Sequence, residues 1–174
     1  MTIEIRPETP ADHDSVGDLH AQAFGDPVRV PALVTALRET PDPLSFVAVD
    51  GERVVGHVML SACRLDAQER LVDVMSLSPL GVLPAYQGQG IGTRLLEHAL
   101  AEATVPLVFL EGSPAYYGKR GFQRADELGF RSPSLRIPPP AFQVATLSSY
   151  EPWMTGTFVY SEPFWAHDCV GLRQ

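Results

Sequence analysis

Long apolar runs, cysteines and surplus positive charge are all scarce in this chain, and each scarcity removes a class of function. No uninterrupted apolar segment approaches the ~20 residues of a membrane-spanning helix, so no membrane partner is expected. The chain has two cysteines, Cys63 and Cys169, too few for a disulfide framework, and no apolar leader precedes a small-residue cleavage site. Together these features predict a cytoplasmic protein. Lys and Arg total 13 against 21 Asp and Glu, a net charge of −8, and they are scattered, which argues against a nucleic-acid partner. The five His and two Cys show neither Cys-x-x-Cys nor His-Glu-x-x-His spacing, so no metal is expected. Ser113 is followed by Pro114 and Ala115 and lacks the Gly-x-Ser-x-Gly elbow of a serine hydrolase.

What is present describes an ordinary globular chain. A length of 174 residues with 45 % apolar and 20 % charged side chains predicts one domain over 1–174 with a substantial core. Among the 16 prolines, those at 133, 138, 139 and 140 mark an extended connector.

The most informative stretch is Gly81-Val82-Leu83-Pro84-Ala85-Tyr86-Gln87-Gly88-Gln89-Gly90-Ile91-Gly92-Thr93, an apolar run that breaks into glycines and opens a helix. Ile91, Leu95, Leu96, Ala99 and Leu100 then recur at helical spacing. Ordered glycine costs backbone entropy, and a turn needs at most one or two. The further service of glycine is to let a ligand approach peptide N–H groups. At a helix N-terminus those groups have no partner within the helix, and the macrodipole favours negative charge. The expected guest is a phosphate or pyrophosphate. With the chain acidic overall, its site must be locally positive, through amides and neighbours such as Arg94, Lys119 or Arg120. The P-loop pattern fails because Thr93 and Arg94 follow Gly92, and the dinucleotide fingerprint fails because position 93 is Thr.

What fits is Gln87-x-x-Gly90-x-Gly92 after Val82-Leu83-Pro84, with Tyr86 before the Gln. This resembles the acetyl-CoA pyrophosphate loop of the GNAT superfamily of N-acyltransferases. The resemblance implies an α/β (α+β) fold: a mixed, mostly antiparallel sheet of about seven strands, flanked by helices and splayed between the strands ending near Val82 and Glu111. It also implies that the backbones of Leu80 and Val82 bond the pantetheine arm and thioester while Gly81 lets them approach. Residues Gln87, Gly88, Gln89, Gly90, Ile91, Gly92 and Thr93 would hold the pyrophosphate.

Along the chain, Ile3 to Pro7 alternates as a strand, and Thr9-Pro10-Ala11-Asp12 reads as a helix start. Val16, Leu19, Ala23 and Phe24 give the first helix an apolar face, which Gly25-Asp26-Pro27 ends. A second helix spans about 30–38 with Leu33, Val34 and Leu37 inward. In GNAT-like domains the segment between them borders the acceptor pocket. Ser45 to Val49 and Arg53 to Ser61 are strands joined at Asp50-Gly51, a tight-hairpin signal. His57, alone in a strand, reads first as structural. Arg64 to Arg70 reads as a polar loop and Leu71 to Val82 as a strand that Pro79 must interrupt by a bulge or an edge. A helix over 90–103 and a buried, parallel-type strand over 106–111 follow.

In Gly112-Ser113-Pro114-Ala115-Tyr116-Tyr117-Gly118-Lys119-Arg120-Gly121-Phe122, Pro114 opens a short helix that Gly121 ends. Its Tyr-Tyr-x-x-x-Gly-Phe spacing resembles the GNAT element whose second aromatic, here Tyr117, protonates the departing thiolate. By the same resemblance Tyr116 and Ser113 adjoin the cofactor. Asp126 to Leu135 is irregular, and strands over 142–147 and 156–160 suggest a final hairpin. Trp153, Met154, Phe164 and Trp165 either line an apolar acceptor pocket or cover the sheet end.

The resemblance thus predicts acetyl transfer from acetyl-CoA to a primary amine. Many relatives pair through their final strands, so it also admits a homodimer. It leaves the general base open: Met75-Ser76-Leu77-Ser78 carries no carboxylate where many relatives have a Glu, and Asp73, Glu111 or water remain as candidates. That gap motivates the alternative of a non-catalytic acyl-CoA-binding module.

Overall fold

In the computed structural model the described residues are 2–171. They cluster into two compact units, 2–61 with 78–103 and 62–77 with 104–171. Strands β3 (Arg53–Ala67) and β4 (Leu71–Val82) contribute residues to both. Among the described residues no helix is long and apolar enough to cross a membrane.

In the first unit, β1 (Ile3–Pro7) pairs antiparallel with β2 (Leu44–Asp50), and β2 with β3, in a register that sets Val47 opposite His57. The Asp50-Gly51 turn forms as expected, with Gly51 at φ 62°. The predicted helix start is a capping box in the 3-10 turn Pro10–Asp12, where the Asp12 carboxylate accepts from the Thr9 amide at 2.8 Å. The Arg6 guanidinium grips the same carboxylate at 2.7 and 2.9 Å and holds it well below the usual carboxylate range. Helix α1 (His13–Phe24) ends at Gly25, which takes the left-handed conformation expected of it. Val16 and Leu19 of α1 and Leu33, Val34 and Leu37 of α2 (Arg29–Arg38) are fully buried; each contributes about 1.5–3 kcal/mol. Helix α3 (Ile91–Glu102) lays Leu95 and Ile91 over Gly56 of β3, where an added Cβ would sit 2.8 Å from Leu95 Cδ1.

The second unit holds the remaining strands: β5 (Leu107–Glu111), β6 (Gln123–Arg124), β7 (Phe130–Arg131), β8 (Phe142–Thr146) and β9 (Gly156–Val159). It also holds the short helices α4 (Pro114–Tyr117) and α5 (Glu162–Ala166). Strand β8 runs antiparallel to β5 and β6, and Phe109 of β5 stacks on Phe158 and Phe142 at 4.4 and 5.7 Å. Strand β5 is parallel to β4 through the pairs Met75↔Val108 and Ser76↔Phe109. The pairing is mixed and mostly antiparallel with helices flanking it, as the sequence led us to expect.

Three expectations are corrected. There are nine strands among the described residues rather than about seven, because β6 and β7 are two-residue pairings too short to leave a periodic signal. The polar loop expected over 64–70 is strand as far as Ala67: Cys63, Leu65 and Ala67 are buried while Arg64 and Asp66 point out, a period of two hidden by charged outer residues. The final hairpin does not form. Strand β9 pairs antiparallel with that extension of β3, Leu65 opposite Phe158, and parallel with β7. Proline 79 lies within β4, and the Ser78–Pro79 peptide is cis.

Candidate active site

The predicted cofactor residues 80–93 form one continuous stretch of the first unit. Strand β4 ends at Val82, the Leu83 amide donates to the Val55 carbonyl at 2.9 Å, and a 3-10 turn follows over Pro84–Tyr86. The Tyr86 hydroxyl donates to Asp50 at 2.8 Å, and the Gln87 side-chain amide donates to the Val82 carbonyl at 3.0 Å. The first Gln of the motif therefore ties the loop back onto the strand it leaves. Gly88 and Gly90 have φ of 76° and 82°, a region L side chains rarely adopt, with nothing within 4 Å of an added Cβ. Their backbone demands glycine, and the space before them is open. Gly92 is different, buried and helical within α3. No side chain caps α3 at Gly90, so its 12 residues present first-turn amides and a positive dipole end to an incoming anion. Gln87, Gly88, Gln89 and Gly90 are exposed, Ile91 is buried and Thr93 half-buried. Arg94 is exposed and donates to the Ile3 carbonyl at 3.0 Å.

Leu80 and Val82 are half-buried, and Gly81 between them is buried. A Cβ on Gly81 would lie 2.7 Å from His20 Nδ1 and 3.1 Å from Leu19 Cδ2, so close packing on α1 demands glycine here. His20 had drawn no attention in the sequence. One turn after Val16 and next to Leu19, it sits on the apolar face of α1 and is fully buried. Its Nε2 lies 2.7 Å from Nδ1 of His57, whose Nε2 lies 2.8 Å from the Ser45 hydroxyl. Ser45 donates to Glu8 at 2.5 Å, and Arg38 donates to the other oxygen of Glu8 at 2.5 Å. Burial opposes ionisation of Glu8, but the nearby His57, 3.7 Å away, and hydrogen bonds from Arg38 and Ser45 prevail and bring its pKa down to about 2. Burial, helped by the neighbouring His57, brings His20 down to about 2, and burial lowers His57 as well.

The remaining predicted residues lie in the second unit. Ser113 caps α4, its hydroxyl accepting from the Tyr116 amide at 3.3 Å, and Pro114 takes the first helical position. The helix ends at Gly118, earlier than expected; Gly121, at φ 93°, belongs to the turn beyond it. Tyr117 lies against Gly112, where an added Cβ would meet its Cε2 at 2.7 Å. Its ring is edge-on to Tyr116 at 4.9 Å and to Phe122 at 5.7 Å. Burial first, and Tyr116 second, push the Tyr117 hydroxyl up to about 12. Arg120 lies 3.8 Å over the Tyr116 ring.

The two candidate carboxylates separate sharply. Asp73 has a side chain 80 % exposed, 3.3 Å from Arg64. Glu111, at the end of β5, accepts from the Tyr160 hydroxyl at 2.9 Å and from the Gly171 amide at 3.1 Å. Its burial nonetheless raises its pKa. The large C-terminal side chains mostly serve packing: Met154 and Phe164 are buried, Trp153 lies under Arg70 at 4.4 Å, and Trp165 donates to the Tyr160 carbonyl at 3.2 Å. Among the described residues no group of three His, Cys, Asp or Glu could hold a metal ion.

Residues 4–125 match the family model of the acetyltransferase (GNAT) domain. The chain belongs to the GNAT acetyltransferase family. Within it, the chain is 32 % identical over 168 residues to the uncharacterized N-acetyltransferase YhbS of Escherichia coli, covering 92 % of this chain and 97 % of that one. The crystal structure of YhbS in complex with CoA superposes with a TM-score of 0.82 at 30 % identity over 93 % of this chain and 91 % of that one. A GNAT acetyltransferase from Brucella melitensis in complex with acetyl-CoA gives a TM-score of 0.74 at 28 % identity, covering 94 % of this chain and 98 % of that one. GNAT membership makes this protein an acyltransferase.

Proposed function

We propose that this GNAT protein transfers an acetyl group from acetyl-CoA to a primary amine by direct attack, and that 1–174 acts as one catalytic domain because β3 and β4 run through both units. The observation that carries the reading is the loop over 87–93: two left-handed glycines opening the uncapped end of α3, one 3-10 turn after β4. Solved relatives hold CoA and acetyl-CoA, and this loop has the chemistry for their diphosphate. The amides of Gly88 to Thr93 bind that diphosphate, and the backbones of Leu80 and Val82 hold the pantetheine arm, with the Val82 N–H polarising the thioester carbonyl. When bound, acetyl-CoA supplies an acyl carbon activated for attack by nitrogen.

Tyr117 gives its proton to the departing sulfur, with Tyr116 and Ser113 beside the thiol end. A hydroxyl raised to about 12 stays protonated throughout the neutral range and is always loaded as a donor. Of the carboxylates, the partly desolvated Glu111 is suited to take the amine proton, whereas Asp73 is an exposed surface partner of Arg64. An acidic chain, −8 overall, favours a cationic amine as the acceptor.

The deciding experiment is a thermal shift with acetyl-CoA followed by thiol release across a panel of amines. At 100 times Kd the cofactor adds about 2.7 kcal/mol. Absence of any shift refutes the reading, and a shift with no turnover on any amine replaces it with an acyl-CoA-binding module.

A further inference from the structure

The His20–His57–Ser45–Glu8 chain fixes where every hydrogen in it lies. An ionised Glu8 carboxylate only accepts, so the single Ser45 hydroxyl proton points to Glu8. The Ser45 oxygen therefore accepts from His57 Nε2–H. A neutral His57 then has a bare Nδ1, which accepts from His20 Nε2–H. The sequence of donors ends at His20 Nδ1, left as a lone pair in a fully buried ring with no hydrogen-bond partner. That atom faces Gly81 at a distance that leaves no room for a methyl group. The opposite tautomer would press an N–H against the strand with nothing to accept it. Glu8, three hydrogen bonds away from His20, thus decides what Gly81 rests on.

We propose that His20 is a positioning residue for acyl transfer that acts through Gly81. The Glu8–Ser45–His57 chain holds its imidazole in the one tautomer against which β4 can lie, and so fixes the direction of the Leu80 to Val82 backbone. The inference rests on the reading that this backbone receives the thioester arm. An apolar side chain would fill the same space at lower desolvation cost, since replacing buried charged and polar clusters by hydrocarbon is often neutral or stabilising. What the polar chain adds is a single orientation of the ring, anchored by Arg38 and Glu8 at its outer end. The logic matches that of a carboxylate that sets an imidazole tautomer in other enzymes, with strand geometry as the output in place of a proton.

Two measurements test it. The first is long-range 1H–15N correlation of the imidazoles in the wild-type protein at pH 7. The expected result is protonated Nε2 and bare Nδ1 in both His20 and His57, with the Glu8→Gln variant losing that pattern; a protonated Nδ1 on wild-type His20 overturns the proposal. The second is a double-substitution cycle read as kcat and as acetyl-CoA Kd. Gly81→Ala and His20→Ala are each expected to lower kcat about 10- to 100-fold, the loss that misplacement of about 1 Å produces, with Kd changed less than about threefold because the diphosphate loop is intact. The pair together, the new methyl entering the space the ring vacates, regains at least about fivefold over Gly81→Ala alone, a coupling expected of residues in contact.

Leu37→Ala, a core change in α2 that costs about 2–5 kcal/mol of stability, separates position from stability: kcat below its melting range is expected to stay within about twofold of wild type. The proposal is overturned if the double variant is no faster than Gly81→Ala, or if Leu37→Ala loses kcat as His20→Ala does. Failure of the thioester reading looks different. Wild-type protein then shows no acetyl-CoA shift, and the positioning role falls with it.

Discussion

In the proposed reaction Tyr117 and Glu111 carry opposite proton tasks, and their surroundings in the second unit suit each to its own. Burial raises both, leaving the phenol a donor at any neutral pH and the carboxylate a better acceptor than an exposed one. Tyr117→Phe is expected to lower kcat about 10²-fold or more while acetyl-CoA Kd stays within about threefold, as loss of a general acid does; stopped-flow thiol release beside calorimetry checks it. Glu111→Gln is expected to cost a similar factor and to remove the acidic limb of the pH–rate profile, whereas Asp73→Asn leaves both unchanged. The Tyr-Tyr-x-x-x-Gly-Phe spacing singles out Tyr117 for the donor's part in this proposal. Glu111 stood out only as one of two carboxylates, and its raised pKa comes from burial, which outweighs the opposing hydrogen bonds from Tyr160 and Gly171, 49 and 60 residues further along the chain.

Among the elements, the loop into α3 was the most legible, because its demand is local. Gly88 and Gly90 need left-handed backbone, and that need is written in the residue type itself. Replacing Gly90 by Ala places a side chain in a conformation costing about 1–2 kcal/mol and is expected to weaken acetyl-CoA about tenfold by calorimetry. Turnover at saturating cofactor should survive in part. Elements made by distant partners were less legible. The second half of β3 looked like loop because Arg64 and Asp66 alternate with Cys63, Leu65 and Ala67, and only its pairing with β9 makes it strand. Strand β9 in turn looked like the mate of β8. Both have strand composition, and composition does not choose a partner.

For the whole molecule, the buried chain in the first unit makes stability depend on pH. His20 faces His57 on β3, with Glu8 and Arg38 beyond, and its folded pKa of about 2 lies below the ordinary 6.5. The unfolded chain therefore binds the proton more readily between those values, and stability falls as pH drops from 6.5 towards 2. Glu8, also brought down to about 2, acts in the same direction below 4.5. Moving from pH 7 to pH 5 is expected to cost about 2 kcal/mol through His20 alone, or roughly 4–8 °C in Tm for a chain of this size. Differential scanning calorimetry of wild type against His20→Ala tests this: the variant should show a shallower fall over the same interval.

The amino-acid order alone determined the family, the longer helices and the glycine loop, because each is a short-range demand of backbone geometry or helical spacing. Tertiary structure alone decided which strand β9 joins, which carboxylate is desolvated, and that a histidine of α1 rests against Gly81 through a chain reaching Glu8. Those depend on residues far apart in the chain meeting in a dry interior, where a hydrogen bond or a pKa is set by neighbours in space that no local pattern names.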